Sequence, residues 1–245
     1  MLFQNRIHAG RRLARALVKY RACHPVVLAL PRGGVLVAAE VATALDAPLD
    51  LVLVRKIGVP GQPELAMGAV TDGEKATIVR NSEIIESCGV DERQFDAVCN
   101  EELAEIERRR ERYLGNRARA EVKDEVVIVV DDGIATGATI LAVVRAVRER
   151  KPKELVLAVP VAPLDTIKKL HPEVDAIVCL DTPEELGAVG YFYRNFHQIG
   201  DEEVIATLKR FPTNRVVHAS DGSRARDVLG ETSSCQVAQG PNQRG

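Results

Sequence analysis

The run Val126–Thr139, VVIVVDDGIATGAT, restricts the fold more than any other part of the chain. Five β-branched apolar residues in succession show no polar alternation, so this segment predicts a strand covered on both faces, as in a parallel sheet flanked by helices. Two adjacent carboxylates, Asp131 and Asp132, then stand at its carboxyl end, where open α/β sheets bind ligands. A turn of small and hydroxylated residues follows, and a helical pattern starts straight after it.

The rest of the chain fits the same frame. Residues 6–19 read as an amphipathic helix, with Ile7, Leu13, Ala14, Leu17 and Val18 as its apolar positions. PVVLALP (Pro25–Pro31) is a buried strand, RGG a turn, VLVAAEVATALD a helix and LDLVLVRK a second strand, which together make a βαβ unit. IGVPGQPELAMGAVTDGEK carries breakers at short intervals and reads as a long mobile loop or flap, with ELAMGAV a possible strand inside it. ATIVR reads as a strand antiparallel to its neighbour. Asp91–Leu114 is a charged helix, part of an insertion over about 82–120. Helices and strands then alternate to a last helix, DEEVIATLKRF. The expected class is α/β, a mainly parallel twisted sheet with helices on both faces. Residues 1–210 form one domain in this reading. Residues 211–245, rich in Ser, Gly, Gln, Asn and Arg, read as a disordered tail.

Bulk properties remove several function classes. A net charge of −2 gives no reason to expect nucleic acid or an anionic membrane as a partner. The arginines of EIERRRERY alternate with glutamates, so they read as a solvated face. Five cysteines without a C-x-x-C pair support neither a disulfide framework nor a zinc site. With no signal peptide and no transmembrane-length run, the expected location is the cytoplasm.

The turn after the acids suits an anion. Free amides at the start of a helix, the positive end of its dipole and the hydroxyls of Thr136 and Thr139 together fit a phosphate, with Ala135 and Ala138 small and Gly137 allowing close approach. Gly133 and Gly137 are too close for a Walker A loop, and no Lys follows them. An aspartyl phosphatase has its second acid two positions after the first, where this chain has Gly133. Neither a G-x-G-x-x-G fingerprint nor a G-x-S-x-G elbow occurs. Adjacent acids ahead of a phosphate turn suit one ligand class well: a 5-phosphorylated ribose, its phosphate in the turn and its hydroxyls on the acids.

Val126–Thr139 resembles the signature of type I phosphoribosyltransferases that binds 5-phosphoribosyl 1-diphosphate (PRPP): apolar residues, two acids, then T-G-x-T. Gly133 departs from it, since many members have an aliphatic residue there. LALPRGGVLVAAEVA resembles the family's diphosphate loop, which implies that Arg32 supplies a fixed charge and that Gly33 and Gly34 permit close approach. VRKIGVPGQPELAMGAV resembles the family's flexible loop that closes over the reaction centre, with Arg55 and Lys56 at its start and Glu64 inside it. With AGRRLA, ERRRERY and GYFYRNFHQIGDEEV, these stretches look like one uncharacterised branch of predicted phosphoribosyltransferases, over roughly residues 3–210.

The resemblance implies a type I core with a small hood. It also implies Mg²⁺ with PRPP, no directly assignable metal ligands, and transfer to a small nitrogenous acceptor with release of diphosphate. Asp131, Asp132, Arg32 and Lys56 are the expected catalytic residues. The aromatic group Tyr191, Phe192, Tyr193 and Phe196 lies where the hood receives the acceptor, and Tyr193 is the expected stacking residue; His197 reads as structural. A PRPP- or nucleotide-sensing protein and a hydrolase of a ribose 5-phosphate compound are the competing readings. The charged insertion offers a surface for a homodimer.

Overall fold

In a computed structural model, residues 2–72 and 76–211 are described. The expected tail lies outside them, apart from residue 211. Helix α1 (Arg6–Leu17) is capped by the Asn5 side chain, which accepts from the His8 amide. Strand β1 (Val26–Ala29), helix α2 (Gly34–Leu45) and strand β2 (Leu49–Leu51) form the expected βαβ unit. The chain continues through β3 (Val54–Val59), β4 (Gln62–Thr71), β5 (Thr77–Arg80), α3 (Ser82–Ser87) and α4 (Glu92–Leu114). It then returns as β6 (Val126–Val130), α5 (Ala138–Glu149), β7 (Glu154–Val161), α6 (Leu164–Leu170), β8 (Ala176–Asp181) and α7 (Asp201–Leu208).

The five core strands run in the order β2-β1-β6-β7-β8, every pair parallel. All five residues of β6 are buried, as a strand without polar alternation requires. Val127 and Val129 pack with Val143, Val144 and Val147 of α5, while α1 and α2 pack on each other and on the sheet. From β1 the chain leaves by α2 toward β2; from β6 it leaves by α5 toward β7, on the other side. The crossover direction reverses between β1 and β6, and a crevice opens there at the strands' carboxyl ends.

Over the described residues, the expected flap and its flanks pair as a three-stranded antiparallel sheet, β3-β4-β5, while residues 73–75 of that stretch lie outside the described residues. Its Pro60-Gly61 pair is a tight turn: Pro fixes the first central residue and Gly61 takes φ +79°, with Val59 opposite Gln62. The breakers therefore mark a hairpin turn and a bulge at Gly58, not a structureless loop. LDLVLVRK correspondingly divides between two sheets, β2 and β3. The strand at ATIVR does pair antiparallel, with β4.

Helix α4 begins with a capping box between Asp91 and Gln94. Its buried residues include Phe95, Cys99, Ile106 and Tyr113, and the helix packs on β3, β4 and α7. The apolar face of the insertion helix is thus packed within the chain. Arg108 and Arg109 both pair with Glu105, whose carboxyl is pulled down to about 2 by their hydrogen bonds. Two buried acids tie the insertion to the core. Asp50 accepts from the Leu51 and Ala120 amides at 2.8 Å each. Asp72 accepts from the Leu53 amide at 2.8 Å and pairs with Arg119.

Candidate functional site

Asp131 and Asp132 stand at the end of β6, and the turn after β1 lies against them. The Leu30 amide donates to the Val130 carbonyl at 3.0 Å, extending the β1–β6 ladder to the crevice. The peptide Pro31–Arg32 is cis. A methyl group built on Gly33 would come within 1.9 Å of Asp132 Oδ2, and one on Gly34 within 2.9 Å of the Val130 carbonyl and of Asp131 Cα. The two glycines are needed first for contact between the turn and the acids, whatever anion the turn also accepts.

The two acids differ. Asp131 Oδ1 accepts from the Asp132 amide at 2.8 Å. Burial holds the Asp131 carboxyl well above its usual range, the Asp132 charge raises it further, and the amide hydrogen bond offsets part of this. Asp132 has a cation instead: Arg6 Nε donates to its Oδ2 at 2.7 Å. Arg6 Nη1 donates to the His197 carbonyl at 2.8 Å, and its guanidinium lies 3.8 Å from the centre of the Phe196 ring.

An acid whose folded-state value is raised keeps its proton in the folded chain where the unfolded chain has lost it. Its contribution to stability therefore falls as pH rises from the ordinary carboxylate value toward the folded one. Asp131→Asn removes that fall. Melting temperatures across a pH series should show parent and variant converging in acid. Near neutrality the variant should melt higher, by about 2–4 °C for each kcal/mol gained. A constant difference across the series would show that Asp131 does not hold the proton.

Ala135, Thr136, Ala138 and Thr139 are exposed in the turn after the acids. Gly137 caps α5 at φ +81°, and a side chain there would strike Thr166 Cγ2 at 2.7 Å. Thr166 donates to the Ala135 carbonyl at 3.0 Å, which orients the turn. Gly133, the departure from the usual aliphatic residue, is required by Val189: an added methyl would lie 2.5 Å from its Cγ1.

Arg32 is exposed, its nearest acid being Asp201 at 3.7 Å. With Arg6, Gly33, Phe196, His197, Gln198 and Ile199 it lines a cavity of about 330 Å³. Lys56 and Thr139 line a second cavity of about 390 Å³, between the three-stranded sheet and α5. Successive strand residues face opposite ways. Lys56 accordingly faces α5 and pairs with the exposed Glu64 at 3.0 Å, while Arg55 faces α4 and pairs with Glu102 at 2.5 Å.

Tyr193 does not offer the open face expected of a stacking residue. It is 5% exposed, packed between Phe3 and Phe196, with its hydroxyl donating to the Asp132 carbonyl at 2.6 Å. Burial and the Asp132 charge push its phenol up. Phe196, 37% exposed, is the more open ring. His197 Nε2 lies 3.4 Å from Glu203.

Arg6 is the site residue that the sequence reading passed over. It had a signal: Arg6 lies seven positions before Leu13 and eleven before Leu17, on the buried stripe of α1. A charge on that stripe calls for a partner.

The phosphoribosyl transferase domain family matches residues 2–193. The chain belongs to that family. Two Mycobacterium tuberculosis proteins, provisionally named phosphoribosyl transferases, are 46% identical over 209 residues, 85% of this chain and 47% of each of theirs. The chain thus spans about half the length of these relatives. The crystal structure of TT1426 from Thermus thermophilus superposes with a TM-score of 0.76 at 40% identity, over 86% of this chain and all of that one. The α/β fold is therefore the family's own. Among the described residues, no helix is long and apolar enough to cross a membrane.

Proposed function

We propose that the chain binds PRPP in the crevice between β1 and β6 and transfers its 5-phosphoribosyl group to a small nitrogenous acceptor, releasing diphosphate. The observation that carries this reading is the close approach of the PRGG turn to the two acids, which brings that turn, the carboxylate pair and the small-residue turn after β6 to one crevice. Amides of residues 135–139, the hydroxyls of Thr136 and Thr139 and the start of α5 hold the 5-phosphate. Asp131 and Asp132 accept from the ribose hydroxyls. Arg32, whose guanidinium has among the described residues one acid contact, to Asp201 at 3.7 Å, turns to the diphosphate. Lys56 reaches the crevice from the three-stranded sheet, releasing its exposed partner Glu64.

Among the described residues no three carboxylate, His or Cys groups converge. That donor set suits a Mg²⁺ held chiefly by the oxygens of PRPP and water, a common arrangement for this ion. When bound, the ion would neutralise charge on the diphosphate. The residues' own part is electrostatic. As the bond from C1 to the diphosphate breaks, Asp132 favours the cationic sugar while Arg32 and Lys56 favour the departing anion. The acceptor enters from the cavity of about 330 Å³, which the partly exposed Phe196 helps to line.

The test follows labelled diphosphate from PRPP and Mg²⁺, with and without pooled purines, pyrimidines and pyridine carboxylates. Release that requires an acceptor is the expected result. Release without one makes the protein a hydrolase, and binding without release makes it a sensor. No binding at all overturns the ribose 5-phosphate reading.

A further inference from the structure

We propose that Arg6 is a positioning residue, one that fixes the Asp132 carboxylate for the sugar by tying it to segment 189–199. The inference rests on the proposed function and adds to it a residue outside every motif of the chain.

A guanidinium that is 7% exposed is costly unless each of its groups is matched. Two of the three nitrogens of Arg6 are matched, from two directions. Nε is given to Asp132 at 2.7 Å, whereas Nη1 goes to the His197 carbonyl and the flat face rests on Phe196. The side chain therefore bridges the acid and the segment. The segment is in turn joined to the chain's start by backbone: Phe3 N to Phe192 O at 2.7 Å, Arg194 N to Phe3 O at 2.8 Å and Asn195 N to Gln4 O at 3.0 Å. Tyr193 supplies a second link to the same acid through the Asp132 carbonyl. Asn5, capping α1 one residue earlier, sets where Arg6 begins. The backbone and the carboxylate of Asp132 are thus each held by this unit.

Lysine cannot substitute for this geometry. Its ammonium carries the charge but has neither a planar face for Phe196 nor a fixed fork spanning a carboxylate and a carbonyl. A requirement for charge alone predicts rescue by Arg6→Lys; a positioning requirement predicts none.

The experiment is a double-mutant cycle in PRPP affinity, measured by calorimetry with Mg²⁺ on the full chain. It compares the parent, Arg6→Lys, Arg6→Met, Asp132→Asn and Arg6→Met with Asp132→Asn. Each single change should weaken binding by about tenfold or more, the scale of one charge-assisted hydrogen bond. The double variant should be no weaker than the weaker single. Multiplying losses, full rescue by lysine, or parental affinity in both Arg6 variants would overturn the proposal and leave the proposed function standing. A parent that does not bind PRPP instead overturns the proposed function, and this inference with it. Should Arg6→Met melt below the assay temperature, Arg6→Lys decides, through its affinity and through a cycle with Asp132→Asn.

Discussion

Asp131→Asn combined with Asp132→Asn is expected to weaken PRPP binding by about a hundredfold. Asp132 accepts a charge-assisted hydrogen bond from a sugar hydroxyl, worth about 1.5–3 kcal/mol, and Asp131, kept from ionising, a neutral one worth about 0.5–1.5 kcal/mol. Together they correspond to roughly 2–4.5 kcal/mol, with tenfold in affinity for every 1.4 kcal/mol. The single variants should differ. Asp132→Asn removes the counter-charge of Arg6 and leaves it neutral acceptors and the Phe196 face, stranding a buried charge, so it should lower the melting temperature as well as the affinity. Asp131→Asn removes a carboxyl that burial and its neighbour keep from ionising, so it should lower affinity while raising stability near neutral pH. Calorimetry with PRPP and Mg²⁺ alongside thermal melts separates the two outcomes. A double variant that binds like the parent would show that the acids do not meet the sugar.

The second large effect is on the fold. In Gly34→Ala the new methyl lies 2.9 Å from both the Val130 carbonyl and Asp131 Cα. Those atoms belong to the end of β6, which is hydrogen-bonded to β1 on one side and β7 on the other, so the backbone has little room to move. Overpacking against fixed backbone costs about 1–3 kcal/mol or more. At about 2–4 °C per kcal/mol for a chain of this size, the melting temperature should fall by roughly 2–12 °C. Gly33→Ala makes a useful contrast. Its methyl meets side-chain atoms, Asp132 Oδ2 at 1.9 Å and Arg6 Nε at 2.9 Å, which can rotate away. It should therefore lose PRPP affinity by more than it loses stability. Equal melting temperatures for Gly34→Ala and the parent would mean that the turn and β6 are not locked together.

Much of this was legible in local chemistry. The apolar run of β6 could only be a covered strand, its two acids had to emerge at that strand's carboxyl end, and Thr136, Gly137 and Thr139 already described a small-residue turn before α5. The same local reading failed in the three-stranded sheet. Pro60 and Gly61 break a strand and also build a two-residue turn between strands, and spacing alone does not separate these uses. It failed again at Tyr193, because whether an aromatic ring is buried or open depends on what lies across from it. Here that is Phe3, 190 positions earlier in the chain.

The sequence by itself determined the element types of the parallel core, the carboxylate pair at the end of a buried strand and the small-residue turn before α5, because each follows from periodicity and from neighbours a few residues away. Only the tertiary structure decided that β1 lies beside β6, and hence that the PRGG turn touches the acids. It alone brought Arg6 from the first helix to Asp132, and it alone gave Gly33, Gly34 and Gly133 their reasons for lacking a side chain. Those facts depend on strand order and on packing between segments distant in the chain, which no local pattern encodes.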